Sequence, residues 1–329
     1  MLLCRRYLAI GLLGLPLATT AHAQSDYPNR PVRIIVDSAA GSANDATSRI
    51  LGDRLGRIWN QQVLTLNQPG AGGGISAREA SKAPNDGYTL YMPATSPFLA
   101  LPGAPGVAPN LPIELPRDFV SISLILEQPL YIGASHKSGI DNLAQLIAMA
   151  KQKPNEISYA ATGRGRLTHL TMELLQSRAG IQLQLVPYAG GPAQAMNDVM
   201  SGRVPLVLDG YAGLAPALKG NLIKGLASTA IKRPPGFEHL PTMAETVPGL
   251  TVGAWNVMLA PAGTPDAIVK KVHADLRVAL DDPDVRAKFA ANGGFVRHLT
   301  PAEVTAFVQN EQKTWRPILQ KVAKEAEKK

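Results

Sequence analysis

Short apolar runs alternate with amphipathic helical stretches along nearly the whole of this 329-residue chain. That alternation restricts the fold to layered α/β architecture, because each run must bury its face against a neighbouring helix. Val32-Arg33-Ile34-Ile35-Val36 reads as a first strand, followed by a helix through Arg57 with Ile50, Leu51 and Leu55 on one side. Residues 63–66 and 88–92 read as the next strands, and 97–117, rich in Pro and Gly, as an irregular excursion. Residues 119–126 and 130–134 read as two extended runs. Helices are expected at 141–152, 167–179, 192–201 and 213–219, alternating with strands at 157–160, 183–187, 205–208 and 222–227. After a strand at 253–260, helices at 265–281, 284–291 and 301–326 finish the chain. The first of these carries Ile268, Val269, Val272, Leu276, Ala279 and Leu280 as a one-sided stripe, with Thr264 expected as its N-cap and Pro265 in its first turn.

The N-terminus reads as an export leader. Arg5 and Arg6 precede an apolar run over 7–18, and Ala21-His22-Ala23 presents small residues for cleavage before Gln24. The run is short of the ~20 residues that span a bilayer, and Pro16 interrupts it. Cys4 precedes the run, which argues against lipid attachment. Cleavage also removes the sole cysteine, so thiol catalysis, thiolate metal ligands and an internal disulfide are excluded from the remainder. Stability must then come from burial, and roughly 300 residues suit two domains of ordinary size. The chain has 33 basic and 25 acidic side chains; without Arg5 and Arg6 the formal charge is +6. That balance favours small anions electrostatically. With aromatics at 5% and not interleaved with the basic residues, it does not point to nucleic acid. The mixed-sign terminus KVAKEAEKK reads as a solvated helix end.

Two segments share one plan, a strand end followed by small residues and a helix start. Ala39-Ala40-Gly41-Ser42-Ala43-Asn44-Asp45 would let the first amides of a helix meet a carboxylate. It would equally serve as a tight turn capped by Asn44 or Asp45. Ala161-Thr162-Gly163-Arg164-Gly165-Arg166-Leu167-Thr168-His169 adds two arginines that either pair with an anion or are simply solvated. Neither it nor the glycines at 70–74 match a phosphate-binding fingerprint, and 70–74 reads better as a structural turn. His169 and Glu173 lie one helical turn apart and read as a surface or core pair rather than a metal site. Asp209 ends a strand and either caps or binds; Trp255 and Asn256 begin one. No nucleophile elbow, zinc-protease helix or close carboxylate pair occurs, so no catalytic constellation, metal site or cofactor is indicated.

The run Tyr27-Pro28-Asn29-Arg30-Pro31-Val32-Arg33-Ile34-Ile35-Val36, with Ala40-Gly41 and Asp45, resembles the opening of the Bordetella uptake gene (Bug) family. These are the substrate-binding proteins of tripartite tricarboxylate transporters. The likeness continues through Asn67-Gln68-Pro69-Gly70-Ala71-Gly72-Gly73, Pro84-Asn85-Asp86-Gly87-Tyr88-Thr89-Leu90, Arg117-Asp118-Phe119 and Ser158-Tyr159-Ala160. Val186-Pro187-Tyr188-Ala189-Gly190, Leu259-Ala260-Pro261-Ala262-Gly263-Thr264-Pro265 and Asp282-Pro283-Asp284-Val285-Arg286 extend it, so that it covers essentially all of 27–320.

The resemblance implies a periplasmic binding-protein-like fold, two α/β lobes with a ligand cleft between them. Residues 24–127 with 252–329 would form lobe 1 and 128–251 lobe 2, with crossings near 126–129 and 249–255. It further implies that a ligand carboxylate is held by backbone amides of two loops, matching Ala39, Ala40, Gly41, Ser42, Asn44 and Asp45 in one. The other matches Thr162, Gly163, Arg164, Gly165, Arg166, Thr168 and His169, with Thr95, Ser96 and Asp209 completing the pocket. Where the family usually has Pro-Phe in the first loop, this chain has Asp37-Ser38; Ser42 stands in place of a glycine, and Arg164 and Arg166 in place of small polar residues. These departures imply either a ligand other than a plain short dicarboxylate, with extra anionic groups or none that fit the usual place, or equally an altered affinity or a loss of binding. The function expected is a monomeric periplasmic receptor passing a small carboxylate to membrane permease subunits, with presentation to a sensor histidine kinase as the alternative and a hydrolase as a distant third.

Overall fold

The computed structural model describes residues 27–38, 40, 42–100, 108–161, 167–188, 192–234 and 236–327. The leader over 1–23 lies outside them. In chain order the elements are β1 (Val32–Val36), α1 (Ala43–Trp59), β2 (Val63–Asn67), α2 (Gly74–Ser81), β3 (Thr89–Tyr91), α3 (Ser96–Leu99) and β4 (Phe119–Ala134). Then come α4 (Leu143–Gln152), β5 (Ser158–Ala161), α5 (Leu167–Ala179), β6 (Gln184–Pro187), α6 (Pro192–Met200), β7 (Leu206–Gly210), α7 (Tyr211–Lys219) and β8 (Lys224–Ser228). Last are α8 (Met243–Thr246), β9 (Gly253–Pro261), α9 (Asp266–Asp281), α10 (Pro283–Ala291) and α11 (Pro301–Glu327).

The strands follow the order β2-β1-β3-β9-β4-β7-β5-β6, with β8 also paired to β4. β4 is the element that joins the two halves. Its residues 119–129 pair antiparallel with β9, and 130–134 pair antiparallel with β7 and β8. The two extended runs read from the sequence are therefore one strand continuing through Pro129. A proline can sit there because its partner at that register is the first residue of β9, Gly253, so no interior ladder bond is lost.

Side chains alternate across each sheet as period two requires. Val32, Ile34 and Val36 of β1 face a core with Leu51 and Leu55 of α1 and Val272 and Leu276 of α9. Ile35 faces the opposite core with Ala77 and Ala80 of α2 and Val304 and Val308 of α11. In the second half, Ile132, Tyr159, Leu206 and Leu208 share one core, while Tyr131, Ala160 and Val207 turn to the other. α11 belongs to both halves. Val304 and Val308 pack in the first, whereas Trp315, Ile318 and Val322 enter the core of the second.

Two capping expectations are corrected. α9 starts at Asp266 after Pro265 and has no side-chain cap; the Thr264 hydroxyl instead donates back to the Pro261 carbonyl at 2.8 Å, closing the preceding turn. α1 is capped by Ser42 rather than by Asn44 or Asp45, its Oγ accepting from the Asp45 amide at 3.2 Å. The glycines at 70–74 serve a structural turn: Gly73 has φ +95°, and a Cβ there would collide with the Pro97 ring. Among the described residues no helix is long and apolar enough to cross a membrane.

Candidate functional site

Topology alone marks two places where a ligand fits. In the first half, parallel β1 lies between β2 and β3, so the connections leaving the C-terminal ends of β1 and β3 run to opposite sides. The second half repeats this with β5 between β6 and β7. Such reversals of strand order open a crevice at the carboxyl ends of the strands, the general ligand position in α/β sheets. The first crevice is bounded by Asp37 and Ser38 after β1, by the start of α1 at 42–45, and by residues 92–96 after β3. The second lies at the ends of β5 and β7, with the start of α5 at Leu167, Thr168 and His169 on one side and Asp209 and Gly210 on the other.

Around the first crevice the polar side chains are tied together. Oδ1 of Asp37 accepts from the Asn44 side-chain amide at 2.8 Å and from the Ala94 backbone amide at 3.1 Å. Asn44 is buried; its amide also reaches the Met92 carbonyl at 3.2 Å, and its Oδ1 accepts from Asn256 of β9 at 2.8 Å. The Thr95 hydroxyl accepts from the Trp255 amide at 2.9 Å and lies 3.2 Å from the Trp255 carbonyl, to which it donates. Trp255 pairs with Glu127 of β4, so the crevice is bonded directly to β9 and through it to β4. Asp45 is buried at the start of α1. Its carboxylate takes Arg49 Nε at 3.0 and 3.1 Å and the Asn67 amide at 2.9 Å. Ser96 and Ala40 are exposed, and Ala39 and Gly41 lie outside the described residues.

Burial pushes the Asp37 carboxyl above the usual carboxylate range, against the pull of the Ala94 and Asn44 donors. This side chain was flagged in the sequence only as a nearby departure. The signal that would have placed it is positional, a carboxylate one residue past the end of the central strand of a β2-β1-β3 unit. Asn256 was noted only as the start of a strand, and nothing in its neighbourhood announces the contact with Asn44, 212 positions away.

The second crevice is built differently. Asp209 is half-buried, accepts from the adjacent Gly210 amide at 2.8 Å, and is likewise pushed up by burial. Tyr131, opposite it in register on β4, is buried with no hydrogen bond to its hydroxyl, within ring contact of Tyr211 and Phe237. Thr168 and His169 are buried in α5. His169 Nε2 lies 3.7 Å from Glu173, whose carboxylate also receives Gln176 at 2.8 Å and Lys321 of α11 at 2.9 Å. The pair is thus a core pair that docks α11 on α5. Thr162, Gly163, Arg164, Gly165 and Arg166 lie outside the described residues. Among the described residues, no group of three or more His, Cys, Asp or Glu is placed to hold a metal ion.

Comparison with known proteins agrees with this architecture. The family model described as "Tripartite tricarboxylate transporter family receptor" matches residues 47–324. Protein BugT of Bordetella pertussis is 30% identical over 316 residues, covering 94% of this chain and 96% of its own. An R. palustris protein solved with adipate is 28% identical, with TM-score 0.72 over 91% of this chain and 99% of that one. MatC from Rhodopseudomonas palustris, solved with bound malate, is 26% identical, with TM-score 0.68 over 89% of this chain and 100% of its own.

Proposed function

The chain belongs to the tripartite tricarboxylate transporter receptor family, and we propose that it captures a small carboxylate-containing ligand, an organic or amino acid, in the periplasm for delivery to the permease subunits of such a transporter. The observation that carries this reading is the doubled crevice. Each half presents a strand-order reversal, and β4 and β9 run between the halves with Thr95 and Asn44 bonded to β9. A ligand touching both crevices is bound better when the halves are closed, which is what a receptor needs to signal occupancy to a permease.

The ligand carboxylate is received by the first amides of α1, capped by Ser42 and continuing through Asn44 and Asp45, together with Ala39, Ala40 and Gly41 just before it in the chain. The second lobe contributes Thr162, Gly163, Arg164, Gly165 and Arg166 with the start of α5 at Thr168 and His169. Thr95, Ser96 and Asp209 complete the pocket. The lobes are 24–127 with 252–329 and 128–251, the polypeptide is cleaved before Gln24 and acts as a monomer, and it performs no chemistry on what it binds. The two relatives named above, solved with adipate and with malate, lend the carboxylate class its support.

Native mass spectrometry of the protein purified from its own periplasm tests the reading. The expected result is a polypeptide starting at Gln24 with one small carboxylate retained, released on denaturation and rebound in calorimetry. A protein that retains nothing and gives no heat with a panel of mono-, di- and amino-carboxylates would overturn it.

A further inference from the structure

A receptor site for an anion normally offers unpaired donors and keeps its own carboxylates away, because two like charges in a partly buried crevice repel strongly. The first crevice breaks that rule. The Ala94 amide, at the end of β3 and facing the end of β1, is the kind of backbone donor such a site would offer, and it is already taken by Asp37 Oδ1. The Asn44 side-chain amide, the neighbouring donor, is bonded to the same oxygen. Asn44 cannot swing away to serve a ligand without giving up Asn256 and the Met92 carbonyl as well. Asp37 is half-buried one residue past the end of β1, with Oδ2 on the side of Gly73.

We infer that Asp37 occupies the position a second ligand carboxylate would take in the β1/β3 crevice, and so selects a ligand that pairs one carboxylate with a cationic nitrogen over the matching dicarboxylate. The inference rests on the receptor reading above and narrows its ligand class. The chain supplies its own carboxylate to the Ala94 and Asn44 donors, which leaves a negative group at the crevice. An incoming carboxylate must find its amides elsewhere, at the start of α1 or in the second lobe. A cationic nitrogen gains the Asp37 charge as a partner, and the elevated proton affinity of that buried carboxyl is the cost such a partner would relieve. The remaining charged group near this strand end, Asp45, is matched by Arg49 and Asn67 and adds no free negative charge.

The test compares ligands that differ only in one end group, succinate against β-alanine and glutarate against 4-aminobutyrate, by calorimetry on the purified protein and on Asp37→Asn. Asparagine keeps an oxygen for the Ala94 amide and removes the charge. The expected result is that the natural protein prefers the amino-carboxylate of each pair by about tenfold or more, and that Asp37→Asn erases this preference or inverts it. Equal or better binding of the dicarboxylates by the natural protein would overturn the inference and leave the receptor reading standing. So would an Asp37→Asn protein with unchanged preference, because a purely structural Asp37 survives that replacement. Failure of all four compounds, and of the wider carboxylate panel, would remove the receptor reading and the inference together. The comparison within the natural protein does not depend on the variant folding.

Discussion

The two crevices share a topology and differ in how their polar groups are satisfied. In the first, Asp37, Asn44, Thr95, Asn256 and the backbone of Met92 and Ala94 are joined in one network that reaches the crossing strand β9. In the second, His169, Glu173, Gln176 and Lys321 tie α5 to α11, while the end of β7 is satisfied more locally. Asp209 bonds the next residue in the chain, and the Tyr131 hydroxyl is buried without a hydrogen bond. Buried polar networks that are fully paired rigidify a site, whereas a loosely satisfied wall can rearrange around a ligand at lower cost. Under the receptor reading proposed above, the first crevice serves as the fixed jaw, bonded in advance to β9, and the wall of Asp209 and Tyr131 as the jaw that adapts.

The strongest way to break this contrast is to cut the network at its centre. Asn44→Ala removes the donor to Asp37 and Met92 and leaves Asn256 without its acceptor, all in buried surroundings. A loss of about 3 kcal/mol is expected, from two or three buried groups left unpaired. Urea unfolding would show it as a lower midpoint at unchanged slope. Asp209→Ala in the other crevice should cost far less, and equal losses for the two variants would erase the distinction between the jaws.

Gly73→Ala strikes the wall behind the first jaw without touching its hydrogen bonds. The residue sits at φ +95°, and its Cβ would meet the Pro97 ring and lie 3.3 Å from Asp37 Oδ2. Strain of about 1–2 kcal/mol is expected from the backbone conformation alone, more if Pro97 cannot move. Weaker ligand binding should accompany the lower stability, because Pro97 lies in the first turn of α3, whose N-cap is Thr95. A variant as stable as its parent would mean that this turn yields and the first jaw is not preformed.

Lys321→Met tests the far side of the second jaw. Glu173 keeps Gln176 and His169 but loses the α11 cation, so about 1 kcal/mol is expected, discounted because Lys321 is 46% exposed. The loss should appear in unfolding and leave the ligand preference of the first jaw unaltered. A shifted preference would show that α11 couples the two jaws more tightly than its contacts imply.

Most of the architecture is legible in the sequence because it rests on local patterns. The period-two strands and period-3.6 helices placed β1, α5 and α9 to within a residue or two, and the glycines at 70–74 read correctly as a turn. What escaped is non-local. Nothing in the run through Pro129 says that one strand serves two sheets, since a proline in a strand ordinarily marks its end and is tolerated here by the partner's position. The Thr264 and Ser42 capping roles depended on which hydroxyl the backbone could reach. The small-residue loop after β1 pointed to the first crevice. That its Asp37 would consume the Ala94 amide, and that Asn256 would cross from β9 to hold Asn44, follows only from the folded register.

The smallest expected effect separates the carboxylates of the two jaws by pH. Asp37 and Asp209 are both pushed above the ordinary carboxylate value, chiefly by burial, so the folded state holds their protons more tightly than the unfolded state does. Each therefore favours folding fully below its unfolded value, near pH 4, and loses that contribution as pH rises through the folded value. Asp37→Asn and Asp209→Asn carry no charge at any pH. Each should match its parent closely in acid and become the more stable of the two toward neutrality, read as a difference in thermal midpoint that grows with pH. More donors oppose the burial of Asp37 than the single Gly210 amide that opposes that of Asp209, so the two difference curves need not coincide. If Asp37 is the group that meets a cationic ligand, saturating 4-aminobutyrate should reduce or reverse the gain from Asp37→Asn, since the charge then has its partner, and should act much less on the gain from Asp209→Asn. Equal responses of both variants to the ligand would make the two jaws electrostatically equivalent and end the contrast drawn between them.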